Sequence, residues 1–410
     1  MTQFHNLLVD RITTDEELKI SDIPIVGSHD SSSYKIDHSV QLDGDMCDLV
    51  NKTRKLLRPM NIDPLRIDSV FSAFTITQHK TIYEQLACGI RFLDLRVTVF
   101  GNEFYCSHTL ANININIALD DIVRFLTSDG TENEYIIIRI RRDSSNNPPT
   151  TKNIISHIAR NHPISQFISF DEIQNVNYPS DLKKERVYIY NEMKQMTKST
   201  SSIWNGNAVA SDLFPIFNPW PNTINIDKSI QYNKNEFEKQ FQTNNTTLNI
   251  LGIVLTPDDD QIILAITSHV LVFISIFITS LFVSTVLIKQ VIRRKNTTLC
   301  DYDDEHYADG EKDEEKLEKL LNSTNSRTSI KIKVMYIIIG IIFVSAIVSS
   351  VLYSRYSSIY SKNDECFEQY IDELSSNPSD FSSVKVFNID FANEHKIYDL
   401  IQTIDSRTSY

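Results

Sequence analysis

The chain has 410 residues, enough for two or three ordinary domains or for one large barrel with attachments. Its 40 basic and 53 acidic side chains leave a net charge of −13, and ten acids against three lysines fall between Asp301 and Lys319 alone. With no basic cluster to neutralise a phosphate backbone, nucleic acid is not an expected partner. Five cysteines without CxxC spacing indicate neither a zinc knuckle nor a disulfide framework.

The first twenty residues contain Asp10, Asp15, Glu16 and Glu17, so no secretory leader is expected there. Further along, short β-branched and apolar runs predict strands over 23–26, 90–97, 103–106, 135–140, 186–190 and 250–255. Between them, apolar residues spaced three and four apart predict helices over 82–87, 119–126, 151–159 and 228–241. Strands alternating with helices predict an α/β fold with a parallel sheet, closed as a barrel or open and doubly wound. No GxGxxG occurs among only nine glycines, which removes the main support for a dinucleotide site.

Two uncharged runs follow. Ile262 to Ile288 contains no Asp, Glu, Lys or Arg, and Val334 to Tyr353 is bracketed by Lys331 and Lys333 before it and Arg355 after it. Each meets the roughly 20 apolar residues that cross a bilayer core, so both are predicted spans, at 261–289 and 334–353. The intervening 290–333 carries the acidic run and too little apolar surface to fold alone, so a solvated linker is expected. The positive-inside rule would put that linker in the cytosol, but a long preceding domain obeys charge rules poorly, so sidedness and organelle stay open. After the second span, a helix over 365–374, a strand over 384–391 and a helix from 394 are predicted. One strand and its helices cannot bury a core alone. They are expected to complete the sheet begun in 1–260, making 354–410 the last part of one barrel interrupted by a two-helix transmembrane hairpin.

Charged and imidazole side chains gather where predicted strands end, the place at which parallel α/β folds carry their sites. These stretches are Gly27-Ser28-His29-Asp30, Asp94-Leu95-Arg96, Ser107-His108 and Arg139-Ile140-Arg141. Asp94 and Arg96 share one strand face, and Arg139 and Arg141 share another. Two imidazoles, carboxylates and guanidiniums suit phosphodiester cleavage: one imidazole accepts a proton, one donates, and a guanidinium balances the phosphoryl charge. Arg91 reads as a structural or surface residue.

The order of these motifs resembles the X-domain of phosphatidylinositol-specific phospholipases C, above all the metal-independent bacterial enzymes and the animal X-domain-containing proteins. The matching segments begin at Ile23 (IPIVGSHDSSSY), Thr77 (TQHKTIYEQLACGIRFLDLRV), Phe104 (FYCSHTL) and Glu134 (EYIIIRIRRD). Others begin at Asn218 (NPWPNTINIDKSI), Gly252 (GIVLTPD) and Val386 (VFNIDFAN). The resemblance implies an irregular TIM-type β/α barrel. It also implies that His29 is the general base, supported by Asp390, and that His108 is the general acid, backed by Asp30. Arg96 would hold the phosphate, with Asp94 in the same network, and Arg141 and Arg139 would bind substrate. Calcium-dependent relatives place Asn after the first His and a carboxylate where Arg96 stands, so neither a metal nor another cofactor is expected. The expected activity is cleavage of a phosphatidylinositol-like lipid at a membrane; the protein partners are unknown. A catalytically idle headgroup-binding protein and a glycerophosphodiester phosphodiesterase stay open as alternatives.

Overall fold

Runs of β-branched and aromatic residues form the strands, and period-3.6 apolar stripes the helices, of a computed structural model. It describes residues 18–40, 75–142, 162–169, 176–178, 184–191, 216–221, 223–242, 248–255 and 362–408, with isolated positions elsewhere. The strands are β1 (Leu18–Lys19), β2 (Ile25–Ser28), β3 (Phe92–Phe100), β4 (Glu103–His108), β5 (Leu110–Asn114) and β6 (Ile136–Arg142). They continue as β7 (Asn177–Tyr178), β8 (Val187–Asn191), β9 (Ile216–Phe217), β10 (Leu248–Ile253) and β11 (Val386–Ile389). The helices are α1 (Ile82–Ala87), α2 (Ile115–Leu126), α3 (Ile226–Gln242), α4 over 362–376 and α5 (Glu394–Thr408).

The parallel strands lie in the order β9–β10–β11–β2–β3–β6–β8. Read from β2, this is chain order wrapped on itself, with the last strand seated beside the first. That is the arrangement of a β/α barrel. It is irregular: among the described residues β8 and β9 do not pair, and β3 runs on into an antiparallel ribbon with β4 and β5. Sequence predicts β4 as a strand over 103–106 but neither its antiparallel pairing nor β5; the ribbon arises at Gly101. That residue has φ 62 and opens the two-residue turn joining Phe100 to Glu103.

Alternation along each strand sorts the core into two layers. Leu93, Leu95, Ile138, Ile140, Leu251, Phe387 and Ile389 point outward and pack beneath Leu86, Ile122, Phe125, Ile397 and Leu400 of the helices. Ile25, Phe92, Ile137, Tyr188, Ile250 and Val386 point inward and plug the barrel. Each such side chain, fully buried, contributes about 1.5–3 kcal/mol. Arg91 belongs to this framework and not to the surface. It is buried, Nε donates to Glu134 Oε2 at 2.7 Å, and Nη1 donates to the Leu86 and Ile90 carbonyls.

The chain divides into two units, Met1–Asp259 with Ile359–Tyr410, and Asp260–Ser358. The predicted spans at 261–289 and 334–353 and the acidic linker lie outside the described residues, apart from isolated positions. Among the described residues no helix is long and apolar enough to cross a membrane. The predicted helix over 151–159 is likewise described only at isolated helical positions.

Candidate active site

The carboxyl ends of the parallel strands converge on one cluster. His29 and Asp30 follow β2 directly, Asp390 follows β11, Asp94 and Arg96 project inward from β3, and Arg141 from β6. The antiparallel ribbon supplies the second imidazole. β4 pairs with β3 from Phe100–Glu103 to Val97–Cys106, and His108, the last residue of β4, lies beyond that pairing with its Nε2 toward Asp30.

Asp30 lies at the centre. Arg96 Nε is 2.6 Å and Arg141 Nη2 3.1 Å from its Oδ1, while His29 Nε2 is 3.2 Å and His108 Nε2 3.5 Å from its Oδ2. Arg141 Nη2 also donates to Asp94 Oδ2 at 2.5 Å. The two imidazole rings stand edge to face with centroids 6.2 Å apart. On its other side, His29 Nδ1 lies 2.9 Å from Asp390 Oδ1, and His108 Nδ1 lies 3.0 Å from the Thr75 carbonyl. Both partners are acceptors, so in a neutral ring each Nδ1 carries the hydrogen and each Nε2 is the atom turned to the cluster, where His29 Nε2 also lies 3.4 Å from Arg96 Nη2.

Backbone strain is concentrated here. The positive-φ non-glycine residues among those described are Asp30 (φ 42), Thr109 (φ 67) and Phe391 (φ 50). Asp30 is itself in the cluster, Thr109 follows His108, and Phe391 follows Asp390. Such conformations cost about 1–3 kcal/mol each and persist where their surroundings over-determine them. Gln78 supplies part of that restraint: Nε2 donates to the His29 and Ile389 carbonyls and Oε1 accepts from Ala392 N–H. Thr77 Oγ1 adds bonds to the His29 and Asp30 carbonyls.

Arg139 is placed differently from Arg141. It faces inward one step deeper, is buried, and donates through Nη1 to Asn218 Oδ1 at 2.9 Å; Asn218 in turn donates to the Ile250 carbonyl. The Arg139 side chain thus ties β6 to the segment after β9, on the side where β8 and β9 do not pair.

Comparison with known proteins finds relatives over part of the chain. PI-PLC X domain-containing protein 2 of Homo sapiens is 30% identical over 119 residues, 28% of this chain and 36% of the relative. A PI-PLC X domain-containing protein of Dictyostelium discoideum is 26% identical over 127 residues, 30% of this chain and 20% of the relative. This chain is similar to the PI-PLC X domain-containing proteins. It spans about a third or less of the length of the curated relatives it matches. No protein-family model matches. Two bacterial phosphatidylinositol-specific phospholipases C overlap it in space. A variant from Staphylococcus aureus does so with TM-score 0.42 and 19% identity over 68% of this chain and 87% of that one. The Listeria monocytogenes protein does so with TM-score 0.45 and 13% identity over 95% and 96%. Overlap at this level adds nothing to what the strand order already shows.

The electrostatics of this X-domain-like cluster follow from its burial. Desolvation alone would raise the Asp30 carboxyl, but the charges of Arg96, His29, His108 and Arg141 outweigh it and hold the group well below the usual carboxylate range. For His108, burial is the largest influence and lowers the pKa; Asp30 opposes, and Arg96 and His29 add to the lowering.

Donor atoms of His29, Asp30 and Asp94 lie within 4.8 Å of one another, close enough to be tested as a metal site. The set does not fit calcium, which takes six to eight oxygens. Both carboxylates already face guanidiniums, Arg96 and Arg141 at Asp30 and Arg141 at Asp94, and a dication there would lie against fixed positive charge.

Trp220, Asn218, Thr75, Thr77 and Gln78 were not marked as site residues by sequence reasoning. Trp220 packs on His29 with ring centroids 4.9 Å apart. Its only sequence signal is its position in the NPWPNT segment. The Thr75 and Gln78 contacts run from or to backbone across long chain separations and leave no periodic trace.

Proposed function

We propose that this protein is a metal-independent phosphodiesterase that cleaves phosphatidylinositol-like lipids by paired imidazole catalysis. The observation that supports it most is that His29 Nε2 and His108 Nε2 both turn toward one carboxylate–guanidinium cluster, while each Nδ1 is held by its own acceptor. In this reading His29 Nε2 takes the proton of the inositol 2-hydroxyl, whose oxygen bonds to phosphorus. The imidazolium formed is stabilised by Asp390. The bond from phosphorus to the diacylglycerol oxygen breaks, and His108 Nε2 gives that oxygen its proton. Arg96 exchanges part of its contact with Asp30 for the phosphoryl oxygens, doing the work a cation does elsewhere. Nucleophile and phosphorus belong to one molecule, so a cyclic phosphate forms first and its hydrolysis follows.

The lipid substrate and the two uncharged runs support a further part of the same reading: the protein is a multi-pass membrane protein anchored through spans at 261–289 and 334–353. The activity is tested with detergent-solubilised full-length protein and phosphatidylinositol. Wild type turns over in EDTA, and His29→Ala and His108→Ala each fall by at least about a thousandfold, on the scale of lost acid–base catalysis. Activity that vanishes in EDTA and returns only with calcium, or equal turnover by both variants, refutes the reading.

A further inference from the structure

Beneath the cluster, the register of the parallel sheet aligns Gly252, Asn388 and Gly27 across β10, β11 and β2, and Phe92 of β3 continues the row. Along β11, Val386 points inward with the apolar plug, while Phe387 and Ile389 point outward beneath the helices. Asn388 therefore faces the barrel interior, on the same side as Asp390 and one step below it. It is 1% exposed, and among the described residues neither Oδ1 nor Nδ2 has a hydrogen-bond partner.

With no protein partner among the described residues, the two donors and the carbonyl of this amide lose stabilisation on burial unless a ligand or a water meets them. A leucine of similar size would avoid that loss. Glycines flank it on both sides, and side chains there would also meet Phe92 and Trp220. A Cβ on Gly27 would fall 3.1 Å from Asn388 Oδ1, and one on Gly252 would fall 3.1 Å from Trp220 Cζ3. Trp220 in turn packs on His29. A buried amide that donates and accepts, one inward step below the Asp390 partner of His29, matches a ligand hydroxyl, which also donates and accepts.

We propose that Asn388 is a specificity-determining residue whose amide hydrogen-bonds a hydroxyl of a polyol phosphate headgroup at the pocket floor. This rests on the proposed function and names the part of the ligand read at that position. The phosphate is left to Arg96, so the two contacts are separable.

The test is calorimetric titration of full-length, detergent-solubilised protein with inositol 1-phosphate and with cyclohexyl phosphate, which lacks the ring hydroxyls. Wild type should prefer inositol 1-phosphate. Asn388→Leu should melt at a higher temperature yet lose about tenfold or more of that preference, with cyclohexyl phosphate affinity unchanged. Asn388→Ala, which adds no bulk, should lose the preference as well. Retention of the preference by both variants overturns the proposal. So does a lower melting temperature for both with the preference kept, which would mean that the amide only holds an internal water. Wild type that does not distinguish the two phosphates removes the inositol reading itself and this inference with it, an outcome separate from failure of the variants.

Discussion

Asp30 and His108 set the pH behaviour of the site through opposite demands. Asp30 is held below the usual carboxylate range by the cations around it, so it stays ionised wherever an ordinary carboxylate does. Its contribution to stability is complete above the unfolded value of about 3.9 and is lost only as pH falls through the depressed folded value. Asp30 therefore does not shape the profile between about pH 5 and 8. His108 must start protonated to act as an acid, yet burial lowers its pKa in the free protein. We predict that kcat/KM, which reports the free enzyme, already falls as pH rises past about 6.5. The alkaline limb of kcat should lie higher, because the bound phosphodiester anion favours the imidazolium. A kcat/KM profile that stays flat from about pH 6 to 8 contradicts the assignment of His108.

At the scale of elements, β2, β11 and the turn at 75–78 act as one unit. His29 N–H donates to the Ile389 carbonyl, Phe391 N–H donates to the Thr77 carbonyl, and Gln78 spans the two strand ends. Gln78→Ala leaves Ala392 N–H without its acceptor and loosens both loops; it should destabilise the fold by about 1–3 kcal/mol in denaturant titrations. Turnover should fall at temperatures where the variant is still folded, and wild-type stability together with wild-type turnover would show that the clasp does nothing. The strand–helix alternation was legible because buried parallel strands are β-branched runs and their helices carry apolar stripes. The inward pairs Asp94 with Arg96 and Arg139 with Arg141 were legible from period two. The antiparallel ribbon was not, since a single glycine turn after Phe100 decides it, and β9, only two residues long, is too short for any period to register. Asn388 passed as one polar residue in an apolar strand; its meaning lies in the two glycines beside it, which only register reveals. Arg139 and Arg141 look equivalent in sequence, but the depth of the barrel separates a strut to Asn218 from a partner of Asp30 and Asp94.

For the whole molecule, the C-terminal strand links distant chain segments to the chemistry. β11 sits between β2 and β10, and through it Asp390 reaches His29, 361 residues away in sequence. Leu255 N–H donates to Asn363 Oδ1 at 3.2 Å, so the chain on either side of the inserted stretch is pinned together at the end of β10. This lets a long insertion interrupt the barrel sequence without interrupting its sheet. If that insertion spans the bilayer as its uncharged runs predict, the full-length protein stays in the membrane fraction through alkaline carbonate extraction; release into the supernatant contradicts the spans. The chemistry itself is tested most directly by following phosphatidylinositol with the purified protein in EDTA by phosphorus-31 NMR. The account predicts that a cyclic inositol phosphodiester signal appears before any monoester, and that His29→Ala produces neither. A monoester formed without the cyclic species, or the same products from His29→Ala, would contradict it.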